Sequence, residues 1–220
     1  MTGPLRTSRQ FYPQELVIFM ERRYLHHAAA RTALALLLVF LPAACTGPKA
    51  GQTSRLPERK SKPRISIADL EKQIHRLING ERQKQGLGPL QWDDALAGIG
   101  RKHSRDMAKR GYFDHTSPEG RDFLYRYGQG GYRCAVRTGT TIHMGAENIA
   151  LNNLYDSVTT IDGEAFYDWN SQKRLAETTV QGWMKSPGHR KNILTPHWKK
   201  EGIGVVIAPD DKVYITQNFC

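Results

Sequence analysis

Apolar residues recur at helical spacing just past position 65, where Ile67, Leu70, Ile74, Leu77 and Ile78 share one face. Ser66 with Asp69 three places on marks the start in the manner of a capping box, and Gly86-Leu87-Gly88-Pro89 marks the stop. A second stripe, Leu96, Ile99, His103 and Met107, predicts a helix beginning at Asp93 or Asp94. His103 on that apolar stripe reads as a packed core histidine. A shorter helix after Ser117-Pro118 would carry Phe123, Leu124 and Tyr127. The pattern lapses from Gly128 to Gly145, then resumes with Ala176, Thr179, Val180 and Trp183 before Ser186-Pro187-Gly188 ends it. The period then changes to two. Ile203, Val205 and Ile207 alternate, Pro209-Asp210-Asp211-Lys212 turns the chain, and Val213, Ile215 and Phe219 alternate again. Helices followed by a strand pair predict an α+β domain over residues 66–220.

Upstream of that domain the pattern is different. Ala33 to Ala44, ALALLLVFLPAA, is twelve residues long, short of the roughly 20 that span a bilayer. It suits the apolar core of an export signal, with Arg22, Arg23 and Arg31 as its basic flank. Met20 opens a signal of normal proportions and is the expected start, which leaves residues 1–19 without a role. Ala43 and Ala44 lead into Cys45 in a way that resembles a bacterial lipobox, although Pro42 stands where that motif has leucine. Lipidation of Cys45, with attachment to a membrane, is the first expectation; signal-peptidase cleavage near Ala44 is the alternative. Residues 1–45 are thus a leader. Residues 46–65 have Leu56 as almost their only large apolar side chain before Ile65 and read as a solvated tether.

Charge sharpens this division. The chain has 220 residues and a formal charge of +11. Residues 1–64 hold 11 Lys/Arg against 3 Asp/Glu, and residues 65–220 hold 21 against 18. The basic excess belongs mainly to the leader and tether, which argues against a nucleic-acid-binding domain. Of three cysteines, Cys134 and Cys220 remain for the folded part once Cys45 is modified or removed. In an exported protein they are expected to pair, the alternative being two free thiols.

Polar chemistry gathers in three short segments beside Gly or Pro: Tyr112 to Pro118, Gly145 to Ala150, and Trp183 to Leu194. His115, Glu147 and His189 stand in them at spacings that match no compact metal motif. Two imidazoles and a carboxylate can hold Zn²⁺ with one position open, or they can form a hydrogen-bonded structural set. Arg190 and Lys191 offer a cation pair for phosphate or polysaccharide, or simply a solvated face. Ser104 and Ser117 lack the G-x-S-x-G setting of a serine-hydrolase nucleophile.

The ordered segments INGERQKQGLGPLQWDDAL, DHTSP, GAENIA, WMKSPGHRKNIL and VYITQNF resemble the bacterial branch of the CAP superfamily. That superfamily is named for cysteine-rich secretory proteins, antigen 5 and pathogenesis-related proteins, and the resemblance covers about residues 67–220. It implies an α-β-α sandwich, a small antiparallel sheet between helical layers, in an exported protein with a central cleft. In its fullest form the family's cleft holds a divalent metal on two histidines and two acids. The first histidine falls on His115, the first glutamate on Glu147 and the second histidine on His189. The second acid is expected just after Trp183, where Met184-Lys185-Ser186 stand instead; Glu177, two turns earlier, is the nearest substitute. The implied site therefore holds zinc or another divalent cation weakly. Asn148 is expected in the cleft lining; Gln217, the polar exception on the Val213, Ile215 and Phe219 face, is expected there too, the alternative being that it satisfies a buried backbone group. The insertion from Asn152 to Gln172, with Tyr155, Phe166, Tyr167 and Trp169, is expected to overhang the cleft, as a ligand groove or as an ordinary packed loop.

Two functions follow from this reading. One is a cell-envelope binding module for a lipid or glycan, with any metal structural or occasional. The other is a metal-dependent hydrolase, a peptidase or esterase, using metal-bound water. A ligating carboxylate is not free to act as general base, and no second acid is assured, which favours binding.

Overall fold

The computed structural model describes residues 59–220; the leader, Cys45 and most of the tether lie outside them. The elements are α1 (Ile67–Lys84), β1 (Gln91–Trp92), α2 (Asp94–Arg110), α3 (Phe123–Gln129), β2 (Val136–Thr138), β3 (Thr141–His143) and β4 (Ala146–Asn153). They continue as β5 (Tyr155–Ile161), β6 (Glu164–Trp169), α4 (Gln172–Lys185), α5 (Pro187–Leu194), β7 (Lys200–Ile207) and β8 (Lys212–Phe219). Side-chain caps start α1 and α2 where the sequence places them, and a third starts α4. The Ser66 hydroxyl accepts from the Asp69 N–H, Asp93 from Ala95 and Leu96, and Ser171 from Arg174.

A four-stranded sheet, ordered β1-β7-β8-β4, lies at the centre. Only the short β1 pairs in parallel. Helix α2 packs on one face of β7 and β8, while α1, α4 and α5 cover the other side. The α-β-α sandwich is thus present. The two faces are packed by different means. On the α1/α4 side Ile74, Leu175, Trp183, Ile203, Ile215 and Phe219 fill space with side chains, and each large one contributes about 1.5–3 kcal/mol by leaving water. On the α2 side Ile149 and Tyr214 meet Met107, but β7 offers glycine where the helix comes closest. A Cβ at Gly204 would lie 1.9 Å from the Arg101 nitrogen, and one at Gly202 2.1 Å from the Ala97 nitrogen, so α2 rests on bare backbone. The core residues among those described lie between Ile65 and Cys220.

Both edges of the sheet are covered by side chains. At the β7 edge the Val205 N–H donates to the buried Glu71 carboxylate, which Arg101 grips from α2. At the β4 edge the Ile149 carbonyl accepts from the Trp183 indole and the Glu147 carbonyl from Asn192. Unpaired strand groups are satisfied this way without another strand. Cys134 and Cys220 are bonded, with Cα atoms 5.5 Å apart, and tie the end of β8 to the segment before β2.

Three local expectations change. Pro187 does not only end α4; it opens α5 as its first residue, where its fixed φ and missing N–H suit a helix start. The insertion is a β5–β6 hairpin, not a loop over the cleft. It leaves β4 at Asn153, paired with Lys212, whereas Glu147 is paired with Asn218 near the other end of the same strand. Tyr155, Tyr167 and Trp169 pack on one another there. Finally, residues 59–65 carry no regular structure but are not free of the fold: Arg59 pairs with Glu164, Lys60 with Asp168 and Lys62 with Asp211.

Candidate functional site at the β4 edge

Strand β4 begins after Gly145, whose φ of +109° puts it where a side chain is strained. A Cβ there would also meet the Tyr127 ring at 2.8 Å and the Phe219 carbonyl at 2.9 Å. Successive strand residues then point to opposite faces. Glu147 turns toward α2 and α3, and Asn148 toward α5. The site therefore wraps around an edge strand.

Glu147 is buried and both its oxygens are engaged. Its Oε1 accepts from His115 Nδ1 at 2.9 Å and its Oε2 from the Arg126 guanidinium at 2.7 Å. The same Arg126 nitrogen also donates to the His115 carbonyl at 2.9 Å, so one cation fixes both the carboxylate and the loop bearing the imidazole. That loop is held a second time from below. His103 is buried on α2 as expected, and its Nε2 donates to the Asp114 carbonyl at 3.0 Å while lying 3.9 Å from Glu147. Burial lowers the His103 pKa against the attraction of Glu147, which keeps it neutral and a single-tautomer donor.

With Nδ1 spent on Glu147, the free nitrogen of His115 is Nε2, on a side chain 47% exposed. His189 reaches the same place from α5, its ring centroid 6.5 Å from that of His115. Burial, and secondarily the charge of His115, pulls the His189 pKa down to about 4. The pair at neutral pH is one half-exposed, carboxylate-held imidazole beside one desolvated neutral imidazole.

Asn148 and Gln217 do not line this opening. Both are fully buried on the other side of the sheet. They belong to a chain of hydrogen bonds in which Asn192 donates to Asn148, Asn148 to Gln217, and Gln217 to Glu201, whose other oxygen meets His75. Asn148 also donates to the His189 carbonyl at 3.2 Å, so this chain seats α5 and only indirectly the imidazole. Strand alternation explains the difference: residues 147 and 148 cannot face the same way.

The geometry bears directly on the expected metal. Among the described residues no three His, Cys, Asp or Glu side chains converge as a ligand set. Both Glu147 oxygens are already taken, one of them by a guanidinium whose charge repels a metal ion. Glu177, the substitute acid, pairs with Lys173 on the helix surface. The residues as arranged do not fit a divalent cation. Ser104 is buried against Thr216 and the Gly204 carbonyl, and the Ser117 hydroxyl donates to Glu119; neither hydroxyl bonds a histidine.

Arg126 is the participant that the sequence reading missed. It lies on a seven-residue helix outside every recognised segment. Its signal was indirect: a buried glutamate requires a counter-charge, and the cations of the three polar segments, Lys185, Arg190 and Lys191, do not pair with Glu147. Arg126 also lines, with Lys102, Arg110, Arg121 and Tyr125, a cleft of about 270 Å³ between α2 and the α3 region, next to His103.

The match to known proteins agrees with this architecture. The family model described as CAP, the cysteine-rich secretory protein family, matches residues 75–219, more than half of the chain. The chain belongs to the CAP family. Uncharacterized protein YkwD of Bacillus subtilis (strain 168) is 34% identical over 161 residues, 73% of this chain and 52% of that protein. Uncharacterized membrane protein YlbC of the same organism is 34% identical over 149 residues, 68% of this chain and 34% of that protein. This CAP chain thus spans about half of one relative and a third of the other. Among solved structures, an extracellular SCP-domain protein from Bacillus anthracis str. Ames superposes with a TM-score of 0.50 and 28% identity, over 70% of this chain and 40% of that one. An outer surface protein from Borrelia burgdorferi gives a TM-score of 0.52 over 72% of this chain and 97% of that one; at 16% identity it speaks for the fold alone. No helix among the described residues is long and apolar enough to cross a membrane.

Proposed function

We propose that this CAP domain is an exported binding module of the cell envelope, holding a lipid or glycan at the β4 edge between His115 and His189. The observation that carries the reading is the double engagement of Glu147 by His115 and Arg126. A carboxylate so committed is a poor general base and a poor metal ligand, but it orients a hydrogen-bonding imidazole well. His115 and the desolvated His189 offer preset donors and acceptors, which suit hydroxyl or amide groups of a ligand. The neighbouring cleft adds Lys102 and Arg121 beside Asp106, Ser117 and Glu119, a mixed polar lining for hydroxyl groups of a longer ligand. Zinc or another divalent cation enters this scheme only as a weak competitor, since it must displace Arg126 from Glu147.

The second reading is hydrolysis. It is favoured by the exposed Nε2 of His115, because an imidazole oriented through Nδ1 by a buried carboxylate is the arrangement of a general base. Its metal-dependent form would need Arg126 to leave. Incubating the exported protein with envelope lipids and peptidoglycan, then recording native mass spectra, separates the two. Retention of an intact ligand, lost in His189→Ala, is the expected result; shortened glycan or deacylated lipid would mean hydrolysis instead. The same spectra read the N-terminus, where a lipid adduct on Cys45 is expected and a mature chain lacking Cys45 would overturn the anchor.

A further inference from the structure

Helix α5 has two working faces. His189, Asn192 and Ile193 turn inward to the sheet, while Pro187, Arg190, Lys191 and Leu194 turn outward. With Met184 and Lys185 from the end of α4, the outward residues line an open cavity of about 360 Å³ at the elbow between the two helices. Its composition is unusual for this surface. Lys185, Arg190 and Lys191 surround an apolar floor of Met184, Pro187 and Leu194, and the cavity has no acidic residue. At the other end of α4 the cations Lys173 and Arg174 each meet a carboxylate. Among the described residues no carboxylate pairs with the three elbow cations.

Helix-end electrostatics accounts for part of this. Lys185 and Lys191 stand in the last turns of α4 and α5, where the carbonyl ends favour positive charge. Arg190 has no such reason. It sits in the first half of α5, whose N-cap Ser186 makes no side-chain cap bond, so the helix start adds to the positive potential. Three cations crowded without a counter-ion repel one another, and an anion arriving from outside relieves that repulsion. The apolar floor narrows the choice. A free phosphate has no use for Met184, Pro187 and Leu194, whereas a phosphate joined to acyl chains places its charge on the cations and its first methylenes on the floor.

We propose that the α4–α5 elbow is a docking site for the headgroup of an anionic phospholipid at a membrane surface, separate from the cleft at His115 and His189. Docking there lays the outer face of α5 on the membrane while the inner face keeps His189 in the cleft.

The test uses residues 59–220, which carry neither the leader nor Cys45, after a cooperative thermal melt has shown that they fold. Cosedimentation compares vesicles of phosphatidylcholine with an equimolar mixture of phosphatidylcholine and phosphatidylglycerol. The wild type should bind the mixed vesicles and not the neutral ones, with affinity falling as salt rises. The triple variant Lys185→Gln, Arg190→Gln, Lys191→Gln should lose about a hundredfold in affinity, at roughly one surface-cation contribution per residue. A thermal melt of the variant, unchanged, ties that loss to charge. Lys173→Gln with Arg174→Gln, two cations at the far end of α4, should lose little. Equal binding by wild type and triple variant would overturn the proposal, as would equal binding to both vesicle types. Competition by glycerol phosphate at millimolar concentration as strong as that by vesicles would also overturn it, because the site would then recognise free phosphate.

Discussion

Two buried glutamates sit at opposite edges of one sheet, each gripped by an arginine, and they serve different ends. At the β7 edge Glu71 holds Arg101 and the Val205 N–H. At the β4 edge Glu147 holds Arg126 and His115. The charge arithmetic is the same, one carboxylate against one guanidinium in each case. What differs is the second partner. A backbone N–H is fixed and dry, so Glu71 closes the edge. A half-exposed imidazole faces solvent and can change partner, so Glu147 opens its edge to a ligand. A buried ion pair alone therefore says little about function; the partner on the other oxygen decides.

The largest expected effect breaks the structural member of the pair. Glu71→Ala strands the Val205 N–H and removes both hydrogen bonds from Arg101, and should cost about 3–5 kcal/mol in chemical denaturation. Glu147→Ala should cost less, about 2 kcal/mol, because Arg126 keeps the Arg121 and His115 carbonyls as acceptors. Equal costs would mean that the two edges are built alike.

Reducing the Cys134–Cys220 bond comes next. It opens a loop between positions 86 apart and should lower stability by about 2–4 kcal/mol, read as a shift in denaturation midpoint with and without reductant. Because the bond anchors the end of β8, the strand that pairs with Glu147, the loss should also loosen the β4 edge more than the β7 edge in hydrogen exchange.

A smaller effect follows from acid. The folded-state pKa of His189 is about 4, below its ordinary 6.5, with burial as the main cause. Between those values the unfolded chain binds more protons than the folded one. Stability from this group is complete above about pH 6.5, falls as the pH drops toward 4 and is constant below; His103, also lowered, acts in the same direction. After allowance for partial solvent access the His189 share is about 1–2 kcal/mol. His189→Gln should flatten the stability profile in that window, and an unchanged slope would contradict the buried neutral imidazole.

Much of this was legible in the sequence, and the remainder has identifiable causes. The stripes of α1, α2 and α4 and the alternation of β7 and β8 were visible because each buries one continuous face. The disulfide followed from counting cysteines. Helix α5 was hidden because Pro187 reads as a stop until something shows that the chain restarts there. The β5–β6 hairpin was hidden because its aromatics pack on one another without alternating against a core. Gly202 and Gly204 gave no sign of their role, since a backbone approach leaves no apolar pattern. In the site, His115, Glu147 and His189 were found together through the family resemblance. Arg126 was not, because a counter-charge is supplied by three-dimensional proximity and carries no spacing rule. Asn148, expected in the cleft lining, lies on the other side of the sheet because neighbouring strand residues face opposite ways.

The commitment of Glu147 to Arg126 and His115 is the centre of the account, and calorimetric titration of zinc into the wild type and Arg126→Gln at neutral pH tests it most directly. Removing the guanidinium frees Glu147 Oε2 and deletes a repelling charge beside His115. Zinc should bind the wild type weakly enough to be lost on dialysis, and should bind Arg126→Gln at least about tenfold more tightly, the equivalent of roughly 1.4 kcal/mol. Tight binding by the wild type, unchanged or weakened in Arg126→Gln, would contradict the clamp and return the site to a metal centre.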